Sequence, residues 1–225
     1  MPTTDTHNND DSGTITVGLI DDHAVVRDGY KRYLELDGKI QVRLEASNAE
    51  DGYQALAHTP IDVLIMDLSM PGIGGLEGIR RILNRYPNQT ILVFSMHQNP
   101  AMALQALRAG AKGYLTKNMP PQAIVQAIHE VTQGGEPLAP ELKAELLRKS
   151  QTPSDSQHEH PHLALTPREF DIFLMLADGK TVEDISQRLH LGLKTVANYQ
   201  TLIRQKLEIH TAIDLYKYAT RHGLL

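Results

Sequence analysis

The sequence predicts two units: an open, doubly wound parallel sheet of five strands, followed by an all-α unit of four helices. Three observations carry this. Short apolar runs alternate five times with stretches of helical spacing between Thr14 and Gln133, the pattern of strand–crossover–strand units. The segment Ser150–His162 (SQTPSDSQHEHPH) has no apolar periodicity and reads as a linker. From Leu163 onward the periodicity is helical only.

A chain of 225 residues is long for one ordinary domain and short for three. At 41% hydrophobic and 22% charged residues, most of it can bury a core. The absence of cysteine excludes disulfides, thiol catalysis and Cys-ligated metal centres. It fits a cytoplasmic protein. No apolar run approaches the roughly 20 residues that span a bilayer, and the polar, acidic start MPTTDTHNNDDSG is not a secretory signal.

Residues 1–13 read as a disordered tail. Strands are expected at Thr14–Ile20, Gln41–Ala46, Asp62–Asp67, Thr90–Ser95 and Lys112–Thr116. Helices are expected at Ala24–Leu36, Ala49–His58, Leu76–Tyr86, Pro100–Ala109 and Pro120–Gln133. Within the third strand the run VLIM is apolar throughout, as a central strand covered on both faces should be. The first unit then spans 14–134 and the linker 135–162, with one more helix at Glu141–Lys149. The second unit, 163–225, has helices at Pro167–Ala177, Val182–His190, Leu193–Leu207 and Thr211–Arg221.

In open parallel sheets, ligand sites form beyond the carboxyl ends of the strands. Those ends carry Asp21 and Asp22 (first strand), Asp67 (third), Ser95 (fourth), and Thr116 and Lys117 (fifth). Three carboxylates at one edge repel unless a cation compensates. A hard divalent ion such as Mg²⁺, with oxygen ligands, would do so. A carboxylate beside that ion and an ammonium suits phosphoryl transfer. Any one of these residues alone reads as a helix cap, a turn or a solvated side chain; the set at successive strand ends does not. Gly72, Gly74 and Gly75 match neither glycine-rich nucleotide motif, so they read as a tight loop into the next helix.

LIDDHAVVRDG, LIMDLSMPGIGGLEGI, FSMH and GYLTK resemble the receiver domain of two-component response regulators over Thr14–Gly134. The resemblance implies a flavodoxin-like fold in which Asp67 accepts phosphate from a histidine kinase. It implies that Asp22, Asp67 and the backbone carbonyl of Ser69 hold Mg²⁺, with Asp21 assisting. Lys117 then contacts the phosphoryl group, Ser95 hydrogen-bonds it and moves, and Tyr114 follows as the aromatic partner of the switch. His97, two residues beyond Ser95, is a candidate for tuning hydrolysis of the aspartyl phosphate; the competing reading is an exposed loop histidine.

In the second unit, Thr166, Pro167 and Glu169 form a capping-box signature at a helix start. Ile172, Phe173, Leu176, Ile185 and Leu189 read as core. A short helix and a turn precede Leu193–Leu207, the arrangement of a helix-turn-helix. Val196, Leu202, Ile203 and Leu207 fit its buried stripe; Lys194, Ala197, Asn198, Thr201 and Arg204 lie on the other face. The chain's net charge of −5 argues against nucleic acid, but Leu193–Lys206 carries Lys194, Arg204 and Lys206 and no acid, a local basic stripe. Asn reads adenine, and Ala and Thr can touch a thymine methyl.

LTPRE, KTVANY and IRQKL resemble the LuxR/FixJ type of four-helix DNA-binding domain over Leu163–Leu225. That implies base contacts from Ala197, Asn198 and Thr201, and DNA-backbone contacts from Lys194, Thr195, Tyr199 and Lys206. Gly192 replaces the usual serine or threonine cap, and Ala197 stands where some members carry lysine. The last helix pairs such domains, which implies a homodimer on phosphorylation and an inverted-repeat promoter site. RNA polymerase is a further partner that this class of regulator implies. The linker histidines His158, His160 and His162 lie in a segment without fixed geometry and are read as no metal site.

The whole chain is thus similar to NarL/FixJ-type response regulators: a phosphorylation-dependent transcription factor rather than an enzyme, with at most slow self-phosphorylation and self-dephosphorylation. The alternatives are a regulator that binds DNA without phosphorylation and an aspartyl-phosphate phosphotransferase. The second would need a general acid two residues past the nucleophile, where Ser69 stands.

Overall fold

The run Val63–Met66 is apolar at every position because helices cover it from both sides. The structure, a computed structural model, describes residues 13–140, 142–144 and 161–225. Strands β1 (Ile15–Ile20), β2 (Ile40–Ala46), β3 (Val63–Met66), β4 (Thr90–Ser95) and β5 (Gly113–Thr116) alternate with helices α1 (Ala24–Glu35), α2 (Ala49–Ala55), α3 (Gly75–Arg85), α4 (Pro100–Arg108) and α5 (Gln122–Thr132). The strands form one parallel sheet in the order β2-β1-β3-β4-β5.

Alternation along each strand sorts the core into two layers. Leu64 and Met66 of β3, with Ile91 and Val93 of β4, face Leu76, Ile79 and Ile82 of α3 and Met102 and Ala106 of α4. Val63 and Ile65, with Leu92 and Phe94, face Leu34 of α1 and Ile124, Ala127 and Ile128 of α5. The strand order reverses direction between β1 and β3, so the crevice at their carboxyl ends is the switch point where such sheets bind ligands. Backbone bonds register the ends there: Asp67 N–H donates to Ile20 O at 2.9 Å, and Lys117 N–H to Ser95 O at 2.8 Å.

The first unit continues past Gly134, where the sequence places the start of the linker. Tyr114 N–H donates to Pro137 O and Ala139 N–H to Tyr114 O, each at 3.0 Å, extending the β5 edge by a bridge to Leu138. Ala139 and Leu142 are buried. Of the helix expected at Glu141–Lys149, residues 142–144 are helical and the rest lies outside the described residues, as do the tail 1–12 and His158 and His160. His162 is not in free linker: Pro161–Ala164 is a 3₁₀ turn, and its ring is buried with Nδ1 3.0 Å from Tyr218 Oη.

The second unit holds α6 (Pro167–Ala177), α7 (Val182–Leu189), α8 (Leu193–Leu207) and α9 (Ala212–Arg221). Capping boxes open three of them: Thr166 with Glu169, Thr181 with Asp184, and Thr211 with Asp214. The helix α8 starts from Gly192 with no side-chain cap. Its buried stripe is Val196, Ile203 and Leu207; Leu202, expected in that stripe, is exposed. One step of about 100° past the core-facing row carries it out to solvent.

The two units are docked. Buried residues of the α3–α4 side and of α6 form one continuous apolar cluster. Gln105 of α4 donates to His162 O (3.3 Å) and Leu165 O (3.4 Å), and Arg108 to Leu163 O at 2.9 Å. Asn99 donates to Gly223 O.

Candidate functional site

Short turns after β1, β3 and β5 bring the predicted acidic set together. Lys117 Nζ lies 2.5 Å from Asp21 Oδ2 and 2.7 Å from Asp67 Oδ2, with all three side chains almost fully buried. Burial works against the charged ammonium, but the hydrogen bonds to Asp21 and Asp67 outweigh it and hold the Lys117 pKa above its ordinary value. The other oxygen of Asp67 accepts from Leu68 N–H at 2.6 Å and Ser69 N–H at 3.3 Å, so the carboxylate is fixed in orientation.

Ligand atoms of Asp21, Asp22, His23 and Asp67 lie within 4.8 Å of one another. His23 went unnoticed in the sequence, although it directly follows the acidic pair; its Nδ1 is 2.9 Å from Asp22 Oδ1. Asp22 Oδ1 is buried without a hydrogen bond of proper geometry. A buried carboxylate oxygen without a well-formed hydrogen bond, grouped with the carboxylates of Asp21 and Asp67, fits a divalent cation such as Mg²⁺.

Ser95 and Tyr114 are both fully buried beside this pocket. His97 links them: its N–H donates to Ser95 Oγ at 3.3 Å and its carbonyl accepts from Tyr114 Oη at 2.9 Å. Burial pushes the Tyr114 phenol well above its usual range. The His97 ring lies 2.9 Å from Ser69 Oγ. Burial pulls this imidazole below its ordinary value, and the charge of Asp67 opposes that. His97 as a whole is nonetheless exposed, and with Ser69 it lines the cleft between the two units rather than the carboxylate cluster itself.

On α8, Lys194, Thr195, Ala197, Asn198, Thr201 and Lys206 are exposed, and Tyr199 is half-buried. The docked first unit leaves this face open. Two of these side chains have internal partners: Thr201 Oγ1 donates to Ala197 O at 3.0 Å, and Lys206 Nζ lies 2.7 Å from Glu169 Oε2. Burial raises the Glu169 pKa, but the Lys206 bond and the Thr166 cap outweigh it and hold the carboxyl below its usual range. Arg204, expected on the open face, is half-buried with Nε enclosed and unpaired. Ile213 and Tyr216 of α9 are exposed.

Sequence reasoning missed the residues that join the units. Arg168 Nη1 donates to Gly72 O at 3.3 Å and to Ile73 O, while its Nη2 donates to Leu189 O at 3.2 Å. Gly72 N–H donates to Arg188 O at 2.9 Å. Asp171 is enclosed against Gly74, where a Cβ would come within 2.6 Å of its Oδ2; that oxygen has no hydrogen-bond partner. Burial drives the Asp171 pKa up to about 7, with Arg168 pulling it down and Glu77 adding to the rise.

Comparison with known proteins gives the same division of the chain. Residues 17–129 match the response regulator receiver domain, and residues 163–219 match the bacterial regulatory proteins of the luxR family. Response regulator UvrY of Escherichia coli (strain K12) is 38% identical over 210 residues, covering 93% of this chain and 95% of that protein. Response regulator GacA of Pseudomonas aeruginosa is 37% identical over 212 residues, covering 94% and 98%. Among solved structures, RcsB from Salmonella enterica serovar Typhimurium, bound to the promoter P1flhDC in the presence of the phosphomimetic BeF3⁻, aligns with a TM-score of 0.67 at 26% identity. It covers 91% of this chain and 98% of that one. Two halves matched separately, and full-length relatives matched end to end, lead to one conclusion: the chain belongs to the two-component response regulators that couple a receiver domain to a LuxR-type DNA-binding domain.

Proposed function

We propose that Asp67 takes a phosphoryl group from the phosphohistidine of a histidine kinase and that the phosphorylated chain pairs with a second copy on promoter DNA. The Asp67 carboxylate attacks phosphorus; the new O–P bond forms as the N–P bond to the kinase imidazole breaks, and the imidazole leaves with that electron pair. Asp22, Asp67 and the Ser69 carbonyl would hold Mg²⁺, with Asp21 assisting. When bound, the ion neutralises charge on the phosphoryl oxygens. Lys117 turns from Asp67 Oδ2 to a phosphoryl oxygen and offsets part of the negative charge that the phosphoryl group brings. Ser95 donates its hydroxyl to a second phosphoryl oxygen; Tyr114 follows through the His97 backbone that it holds. His97, packed over Ser69, limits access of water to the aspartyl phosphate.

On the DNA, Asn198, Ala197 and Thr201 read bases, while Lys194, Thr195, Tyr199 and Lys206 meet phosphates. Lys206 does so while tied to Glu169, which fixes its position and offsets part of its attraction for phosphate. Ile213 and Tyr216 supply the apolar part of a two-fold contact between copies, which fits an inverted-repeat site. RNA polymerase is the partner through which such binding would alter transcription, and the cytoplasm is where the protein would meet it. The chain is a phosphoacceptor rather than an enzyme, with at most slow self-phosphorylation and self-dephosphorylation.

The observation that carries this reading is Lys117 bridging Asp21 and Asp67 at the switch point of the sheet. Beryllofluoride with Mg²⁺ tests it. An adduct at Asp67, lost in Lys117→Ala and Asp67→Ala, is expected; no adduct in the wild type would leave a regulator that works without phosphorylation.

A further inference from the structure

The loop that follows the acceptor, Ser69–Ile73, is gripped by the DNA-binding half. Its carbonyls at Gly72 and Ile73 accept from Arg168, and its amide at Gly72 donates to Arg188 O at 2.9 Å. The Arg188 side chain reaches the remaining carbonyl of interest: Nη2 lies 3.5 Å from Ser69 O. That carbonyl is the one backbone atom expected in the metal shell. A cleft of about 810 Å³ between the halves is lined by both Ser69 and Arg188.

We propose that Arg188 competes with the divalent cation for the Ser69 carbonyl, so that docking of the DNA-binding half and metal loading of the Asp67 pocket oppose each other. Two cations directed at one carbonyl oxygen repel, and a carbonyl turned toward a guanidinium is turned away from the ideal geometry of a small ion that demands near-octahedral ligands. The Arg188 backbone is anchored by its hydrogen bond from Gly72 N–H. The guanidinium is therefore delivered to Ser69 whenever the halves are docked and withdrawn when they part. Such coupling is reciprocal by thermodynamic necessity: if docking weakens metal binding, metal binding weakens docking by the same factor. Arg188 is thus a positioning residue for the phosphorylation site, although it belongs to the other half of the chain. It also gives the receiver a way to loosen its partner before any phosphate arrives.

The proposal rests on the reading of Ser69 as a metal ligand, and the test separates the two. The full-length protein is titrated with Mg²⁺ alone while the amide signals of Asp67, Ser69 and Gly72 are followed by NMR. Arg188→Ala is expected to bind Mg²⁺ about fivefold more tightly than wild type, toward the low end of such couplings because the side-chain contact is long. Wild type is expected to expand on Mg²⁺ addition by small-angle scattering, and Arg188→Ala much less. Lys180→Ala removes another cation lining the same cleft, one paired with Asp178 at 3.7 Å, and is expected to leave affinity unchanged. Equal affinities for wild type and Arg188→Ala, or equal tightening by Lys180→Ala, would overturn the competition. If Mg²⁺ shifts the Asp67 signal but leaves Ser69 untouched in every variant, the Ser69 ligand itself is wrong and the competition falls with it.

Discussion

Docking of the two halves should weaken as pH rises toward neutrality, and Asp171 sets the size of the effect. In the docked state its carboxyl is enclosed between α6 and α3. The charged groups near it are Arg168 on its own helix and Glu77 across the interface, with Arg81 and Tyr199 acting on Arg168. Its pKa there is about 7, against an ordinary value of 3.8. Separation returns the side chain to water and to that ordinary value. Docking therefore takes up a proton. The stabilisation is fully present below the free pKa and is lost as pH rises through the docked one. Between pH 5 and pH 7 the docking constant should fall roughly 50-fold, and above about pH 8 it should stay flat. Small-angle scattering of unphosphorylated protein across that range measures the docked fraction. Asp171→Asn keeps the shape and removes the proton, so its docking should be level in pH. A wild-type docked fraction that does not respond to pH, or an equal slope in Asp171→Asn, would refute the reasoning.

Three further outcomes follow from the same geometry. Arg168→Ala removes charge-assisted bonds to Gly72 and Ile73 and leaves Asp171 without its cation; the undocked fraction should rise on the order of 10- to 100-fold, seen as expansion in scattering. Asn198→Ala should lose discrimination between promoter and random DNA. Lys194→Ala should weaken both alike and reduce the salt dependence by about one phosphate contact; equal losses on both DNAs for both variants would sink the assignment. His97→Ala removes the ring that contacts Ser69, so the aspartyl phosphate should hydrolyse faster; an unchanged lifetime removes His97 from that role.

Local chemistry made much of this legible in the sequence. The all-apolar run at Val63–Met66 reads as a central strand because it has no face to give to water. Asp21, Asp67, Ser95 and Lys117 announce themselves because strand ends in parallel sheets lie on one edge. The Thr166–Glu169 capping box marks α6 from four residues alone. Other features depend on distant partners. Arg168 and Asp171 look like solvated residues in sequence. They are buried because a receiver loop some 95 positions away covers them, and no periodicity encodes that. Residues 137–139 lack strand-like alternation and join the sheet through the two backbone bonds of Tyr114. Leu202 is apolar at nearly the right phase of α8, yet the row is completed by Ile203. Its exposure, like that of Ile213 and Tyr216, belongs to a surface that the single chain does not cover.

In the proposed function, phosphate on Asp67 controls occupancy of DNA by the Leu193–Leu207 helix. Footprinting across the genome in cells carrying wild type or Asp67→Ala tests it most directly. Discrete promoter footprints in the wild type that fade in Asp67→Ala, at equal protein levels, are expected. Identical footprints in the two strains would contradict it.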